Sequence, residues 1–392
     1  MNTKGIILKP EFEKAIFELG FSEFTEIQEK CIPLIQQGKD VIGTSYTGSG
    51  KTAAFGFPAL EKINPGRGIQ LLVIVPTREL CIQVAKEFVK FTKYRRTSII
   101  EVYGGISIHP QIKLLRQADV VVGTPGRLLD HLSRGTFNTS QIKILILDEA
   151  DKMFEMGFID DINKIISRIP KNSQKLLFSA TMPPEIMSIV KNYMVNPEKV
   201  KMQTYIDESK IIQHYFEVIR KDKFSLLTHL IKSDSIGLVI VFCSTRKSVD
   251  IVNRNLNKQD IKSQALHGGI TQNRREQVIE AFHHGKVDVL VASDVAARGL
   301  DIKNVNLIIN YDIPKTSREY VHRIGRTARA GNEGKVISLL SYEDHENFRR
   351  VLEDKSLLIE RMKTPQFLHI ELVRSQTYNK PFRRNFSKYR NR

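Results

Sequence analysis

A chain of 392 residues, 41% of them hydrophobic, is long enough for two domains with cores of their own, and its formal net charge of +17 favours polyanions such as nucleic acid. No apolar run approaches the roughly 18–20 residues that cross a bilayer, and the N-terminus turns charged too early for a secretory signal, so a cytoplasmic protein is expected. Cys31, Cys81 and Cys243 lie far apart in or beside apolar segments with no C-x-x-C, which predicts buried reduced thiols in preference to disulfides or a zinc site.

Short apolar runs predict strands at 40–43 ("DVIG"), 71–75, 98–104, 119–123, 144–147 ("ILIL") and 175–180. Between them lie helical patterns, among them 79–94 and 126–133. A polar connector near 202–210 follows, and then the same rhythm restarts. Strands are predicted at 238–243 ("LVIVFC"), 263–266, 287–293, 305–312 and 334–340, with helices at 245–257, 271–284 and 317–325. Near-continuous apolar strands alternating with helices imply parallel sheets covered on both faces, hence an α/β chain of two domains. The expected boundaries are 1–203, a linker at 204–211, and 212–365. A tail over 366–392, ending in "SQTYNKPFRRNFSKYRNR", reads as disordered. It interleaves Tyr378, Phe382, Phe386 and Tyr389 with Lys and Arg, a composition equally suited to a solvated tail and to tethering RNA.

The first predicted strand runs into "TSYTGSGKT" (44–52), and a helical pattern follows it. The phosphate-loop pattern G-x-x-x-x-G-K-[ST] asks for Gly at position 45 and meets Ser45, another small residue. Thr47, Gly48, Ser49 and Gly50 would turn backbone N–H groups toward phosphate oxygens, Lys51 would reach the β- and γ-phosphates, and the Thr52 hydroxyl would meet Mg²⁺. The strand "ILIL" delivers Asp148-Glu149-Ala150-Asp151. Asp148 is placed to hold Mg²⁺, and Glu149 to orient or deprotonate the attacking water. Acids enriched at a helix start would be the plainer reading of either group alone. Loop and acids together point to an NTPase using Mg²⁺.

Asp148 to Asp151 spell D-E-A-D, and the chain resembles a DEAD-box ATP-dependent RNA helicase over roughly residues 18–340. The likeness is an ordered series: "GFSEFTEIQ" (20–28), the loop, "PTREL" (76–80), "GG" (104–105), "TPGR" (124–127), "DEAD", "SAT" (179–181), "VFCSTR" (241–246), "LHGGITQNRRE" (266–276), "SDVAARGLD" (293–301) and "HRIGRTAR" (322–329). It implies two tandem RecA-like domains, a minimal core with a short basic tail. It implies that Thr25 and Gln28 recognise adenine, that Asp301 contacts the ribose, and that Arg326 and Arg329 act as arginine fingers across the cleft. It implies that Ser179, Thr181 and His322 couple hydrolysis to domain closure.

The residues themselves give "HRIGRTAR" the spacing i, i+3, i+6 for Arg323, Arg326 and Arg329, one side of a helix, with no acid inside the motif to pair them. Pro76, Thr77, Arg78, Gly104, Gly105, Thr124, Pro125, Gly126 and Arg127 sit in loops after predicted strands, the edge where parallel sheets bind ligands. Glycines, hydroxyls and guanidiniums suit phosphates. By the resemblance these loops grip one RNA strand without reading its sequence, and Arg246, Gly268, Ser293 and Asp294 continue that grip. The chain departs from the family pattern in carrying Phe24 for Pro, Ser293 for Thr and Ala328 for Gly. It has no upstream aromatic ring near Thr3 to stack on adenine.

The expected activity is RNA-stimulated ATP hydrolysis that locally unwinds short duplexes or remodels RNA–protein complexes. Two rivals are an ATP-locked RNA clamp or annealing scaffold, and a DNA-translocating helicase of the same superfamily. Ribosomal-precursor and RNA-decay complexes are the settings that suit a minimal enzyme of this type, acting as a monomer.

Overall fold

The computed structural model describes residues 5–45, 49–202, 211–234, 237–297, 305–327 and 334–373. The first sheet consists of β1 (Val41–Thr44), β2 (Leu71–Ile74), β3 (Ile99–Val102), β4 (Val120–Gly123), β5 (Ile144–Leu147), β6 (Gln174–Ser179) and β7 (Glu198–Lys201). Its order is β3-β4-β2-β5-β6-β1-β7. The second consists of β8 (Ile211–Glu217), β9 (Leu238–Cys243), β10 (Ser263–Leu266), β11 (Val289–Ser293), β12 (Val305–Asn310), β13 (Gly334–Leu340) and β14 (Glu360–Arg361). Its order, β10-β11-β9-β12-β13-β8-β14, is the first with seven added to each strand number. Every strand pair in both sheets is parallel. These are tandem RecA-like domains.

The runs form central strands because alternate side chains enter two different cores. Leu71 and Val73 of β2 pack on one face with Phe55, Phe88 and Phe178, while Leu72 and Ile74 pack on the other with Leu128, Ile162 and Ile189. In β9, Ile240 and Phe242 face Phe282 and Tyr320, and Val239 and Val241 face Leu227 and Leu256. Phe24, which stands where the family pattern has Pro, is buried in the first of these cores.

Three strands were not among those expected. β7 reads "EKVK" and buries only Val200, as an edge strand does. β8 begins at Ile211, the last residue of the expected linker, and β14 closes the far edge. Ordered chain also continues past residue 365. Phe367, Ile370 and Leu372 pack on the second domain, Ser225 and Ile370 hydrogen-bond each other, and Asn255 holds both the N–H and the carbonyl of Val373. This segment reads as tail because its apolar residues follow no period. The tail from Arg374 onward, with Thr3, lies outside the described residues.

Candidate functional site

The carboxyl ends of β1, β5 and β6 bring the nucleotide-loop residues and the acids together. Gly50 sits at φ 90°, a left-handed conformation that starts the helix Lys51–Lys62, and a Cβ there would stand 2.4 Å from Gln28 Nε2. Gln28 is buried and already engaged. Its amide donates to Gly50 O at 3.0 Å and accepts from Thr25 N at 2.9 Å, while the Thr25 hydroxyl donates to Ser49 O at 2.9 Å. The motif expected to read adenine therefore braces the loop itself, leaving one N–H and one lone pair of the amide for a ligand. Ser45 Oγ lies 2.9 Å from Ser49 Oγ, so the residue standing for Gly ties the loop across its base. Lys51 is buried and donates to Ser45 O at 3.0 Å. Thr47 and Gly48 lie outside the described residues.

Asp148 and Glu149 follow β5 and are both buried. Burial pushes the Asp148 carboxyl up to about 7, against the pull of nearby Lys51. An oxygen-only donor pair, the Asp148 carboxylate and the half-buried Thr52 hydroxyl, fits a hard divalent cation, whose charge would offset that burial. Glu149 holds φ 52°, unusual for a residue with a side chain, and caps the helix Ala150–Glu155. Burial would raise its carboxyl, but Lys152 outweighs this, with help from Lys51 and Arg326, and the group lies below its ordinary value. The Lys152 ammonium stands 2.7 Å from Glu149 Oε2, both ends buried. Lys152 was missed by sequence reasoning, although three residues after Glu149 is helical contact distance.

Ser179, Thr181 and Asp151 form one network. Ser179 Oγ accepts from Asp151 N at 3.1 Å and donates to Thr181 O at 2.7 Å. Asp151 Oδ2 accepts from Thr181 N at 2.9 Å and from its hydroxyl at 3.0 Å. The second domain reaches this network through Arg318, which sequence reasoning also missed and which contacts Asp151, Glu155 and Thr181. His322, on the same helix, Ser317–Ile324, adds its charge near Asp151. A second crossing pairs Arg275 Nε with Glu79 Oε1 at 2.7 Å.

The expected row of three helical arginines is corrected. The helix stops at Ile324, so Arg326 sits in the turn beyond it, buried, with its charge acting on Glu149 across the cleft. Arg323 does have an acid, from outside its motif. Its Nε and Nη2 donate to the two Asp294 oxygens at 2.6 and 2.7 Å, and its Nη1 donates to Asn310 Oδ1 and Asp312 O. Asp294, expected on the RNA face, thus spends both carboxylate oxygens anchoring that helix. Arg329, Ala328 and Asp301 lie outside the described residues.

Along the same edge of the first sheet, β3, β4 and β2 are neighbours, so their loops meet. Thr77 caps the helix Arg78–Phe91 by accepting from Leu80 N, which uses its hydroxyl within the helix start. Arg78 lies over Gly105, where φ is 85° and a Cβ would stand 2.0 Å from Arg78 Nη1. Gly105 admits the guanidinium, while a Cβ on Gly104 would meet it only at an ordinary 3.8 Å. Arg127 Nη2 donates to Ile106 O at 2.9 Å, while its buried Nη1 has no hydrogen-bond partner. Thr124 and Pro125 open its helix, Pro76 is buried beside Thr77, and Gly126 is exposed. The second domain repeats the device. Thr245 caps the helix Arg246–Asn257, and Arg246 Nη2 lies 3.2 Å from the place a Cβ on exposed Gly268 would take. Buried Ser293 ends β11 nearby. No helix among the described residues is long and apolar enough to cross a membrane.

A family model described as DEAD/DEAH box helicase matches residues 25–189, and one described as helicase conserved C-terminal domain matches residues 222–331. The DEAD-box ATP-dependent RNA helicase CshA of Bacillus licheniformis is 45% identical over 91% of this chain and 74% of its own length. The ATP-dependent RNA helicase CshA of Listeria monocytogenes is 44% identical over 91% of this chain and 69% of its own. Among solved structures, S. cerevisiae Dbp5 bound to RNA and ADP BeF3 superposes with a TM-score of 0.82 at 31% identity, covering 91% of this chain and 94% of that one. A DEAD box protein from the hyperthermophile Methanococcus jannaschii gives 0.56 at 40% identity, covering 93% and 99%.

Proposed function

The chain belongs to the DEAD-box ATP-dependent RNA helicases, and from that premise we propose how its own residues divide the work. ATP lies between the domains, with its phosphates on the loop at 45–52 and its adenine beside Thr25 and Gln28. Lys51 leaves Ser45 O for the β- and γ-phosphates. Thr52 and Asp148 would hold Mg²⁺, which when bound neutralises phosphate charge. Glu149, kept ionised by Lys152, orients the attacking water and takes its proton. Arg326 stabilises charge developing on the transferred phosphoryl group, and Arg329 joins it.

The observation that carries this reading is the burial of Glu149 and Arg326 on opposite domains, close enough for one charge to act on the other. Each domain supplies half of a hydrolytic centre, so hydrolysis follows closure. The likeness to a relative bound to RNA and ADP BeF3, at a TM-score of 0.82, supports reading this arrangement as the closed one. RNA runs over Arg78, Gly104, Gly105 and Arg127 in the first domain and Arg246 and Gly268 in the second. The unpartnered nitrogen of Arg127 supports a phosphate there. Closure bends one strand and melts a short duplex. Because one chain carries both halves, the acting unit is a monomer, and the three buried thiols suit the cytoplasm. RNA under assembly or decay is the expected setting.

Steady-state ATP hydrolysis with RNA, with equal single-stranded DNA and with neither tests the reading, beside Glu149→Gln. Stimulation by RNA alone, lost in the variant, is expected. Equal stimulation by DNA points to a translocase. ATP-dependent RNA retention almost without turnover points to a clamp.

A further inference from the structure

Arg318 occupies the first turn of the helix Ser317–Ile324, whose start is capped by Thr316 accepting from Glu319 N. A cation is misplaced there, because the helix start already carries partial positive charge. Its partners lie across the cleft. Nε stands 2.9 Å from Glu155 Oε1, Nη2 stands 3.3 Å from Asp151 Oδ2, and Nη2 donates to the Thr181 hydroxyl. Asp151 and Glu155 are one helical turn apart on Ala150–Glu155, so one guanidinium fork spans that helix face. Both acceptors are largely buried, with Asp151 only 4% exposed. Burial would push the Asp151 carboxyl up, but Arg318, His322, the Thr181 N–H and Lys51 together hold it below its ordinary value, Arg318 contributing most among them.

The helix that Arg318 grips begins at Glu149, whose backbone is held at φ 52°. A pull on Asp151 is therefore a pull on the group that faces Arg326. We propose that Arg318 is the positioning residue of closure: it seats the helix 150–155 from the opposite domain, so that Glu149 is aimed only when the domains meet. It touches neither nucleotide nor RNA and acts through Asp151, Glu155 and Thr181. The Arg275–Glu79 pair crosses elsewhere, at the start of the helix after Thr77, and does not reach the acids.

This inference rests on the two-domain ATPase reading, and the test separates the two. Wild type, Arg318→Ala, Arg318→Lys, Glu155→Gln and the swap Arg318→Glu with Glu155→Arg are compared. RNA-stimulated turnover is measured, together with energy transfer between dyes on the two domains, with RNA and a non-hydrolysable ATP analogue. Wild type lacking RNA-stimulated turnover would overturn the underlying reading itself. Given an active wild type, Arg318→Ala should lower kcat about ten-fold or more and raise the RNA concentration for half-closure by a similar factor. Arg318→Lys should recover part of both, Glu155→Gln should lose less, and the melting temperature of the ligand-free protein should stay the same. Closure and turnover at wild-type levels in Arg318→Ala would overturn the proposal. So would a loss of turnover matched by an equal loss in the melting temperature, with Arg318→Lys no better than Ala.

Discussion

After β1 the chain passes Ser45 and Ser49 and enters a helix through left-handed Gly50; after β8, its counterpart in the second sheet, it runs through Val218 and Ile219 into a short turn at Arg220–Asp222 without a glycine. After β5 come two buried acids, one raised to about 7 and poised against Lys51. After β12, the matching strand, comes Asp312, whose Oδ2 is occupied by Ser244 N at 2.8 Å and Ser244 Oγ at 3.0 Å. One scaffold is thus used twice, and the phosphate loop and its acids were built on only one copy. What both copies keep is an arginine at a Thr-capped helix start lying over glycines, Arg78 with Gly105 and Arg246 with Gly268. The shared device fits the strand that crosses both domains, and the unshared ones fit a ligand held between unlike halves. Buried carboxylates collect on the first edge and buried guanidiniums on the second.

The sharpest way to break this division is to remove the guanidinium half. Arg326→Ala is expected to lower RNA-stimulated kcat about 10³-fold with ATP binding largely kept, measured by steady-state turnover and nucleotide titration. Glu149→Gln should follow at about 10²-fold or more, retaining ATP-dependent RNA binding by fluorescence anisotropy. The matching acid in the second domain should behave differently. Asp312→Ala hands the exposed Ser244 N over to water, so urea unfolding should show a loss of about 0.5–1.5 kcal/mol.

Arg78→Ala and Arg246→Ala test the shared device. Each should weaken RNA of any sequence alike and reduce the slope of log K against log salt by about 1.

The smallest effect separates the domains by their thiols. Burial pushes Cys31 up to about 12 and raises Cys81 and Cys243 as well. A folded pKa above the unfolded value of about 8.5 makes the folded state the tighter proton binder. Stability is then flat below about pH 8 and falls as pH rises from there toward 12. The first domain, with two such thiols, should lose more than the second between pH 8 and 10 in urea midpoints followed by domain-specific probes.

Much of the fold was legible because the central strands of a parallel sheet are apolar on both faces. "ILIL" and "LVIVFC" coincide with β5 and β9. β7 was not legible, since "EKVK" at an edge needs to bury one side chain, and β8 hid in a segment whose polar start looked like a connector. Of the site, the glycines, Lys51 and the acids stood out because their spacing is local. The partners did not. Asp294 lies 29 residues from Arg323 and answers it only after the sheet is built. Arg318 follows a serine and precedes a glutamate, which reads as an ordinary solvated helix start. Its meaning comes from a neighbour 167 residues earlier, Asp151, brought near by the meeting of two domains.

The bond from Lys51 to the Ser45 carbonyl has a consequence in time. The ammonium is already stripped of most of its water and held by the base of its own loop. An arriving phosphate therefore exchanges one oxygen partner for another and must first let the lysine swing away. Nucleotide capture then becomes a two-stage event, a fast encounter followed by a slower internal rearrangement whose rate levels off as nucleotide concentration rises. The loop behaves as a latch with its own clock rather than an open socket.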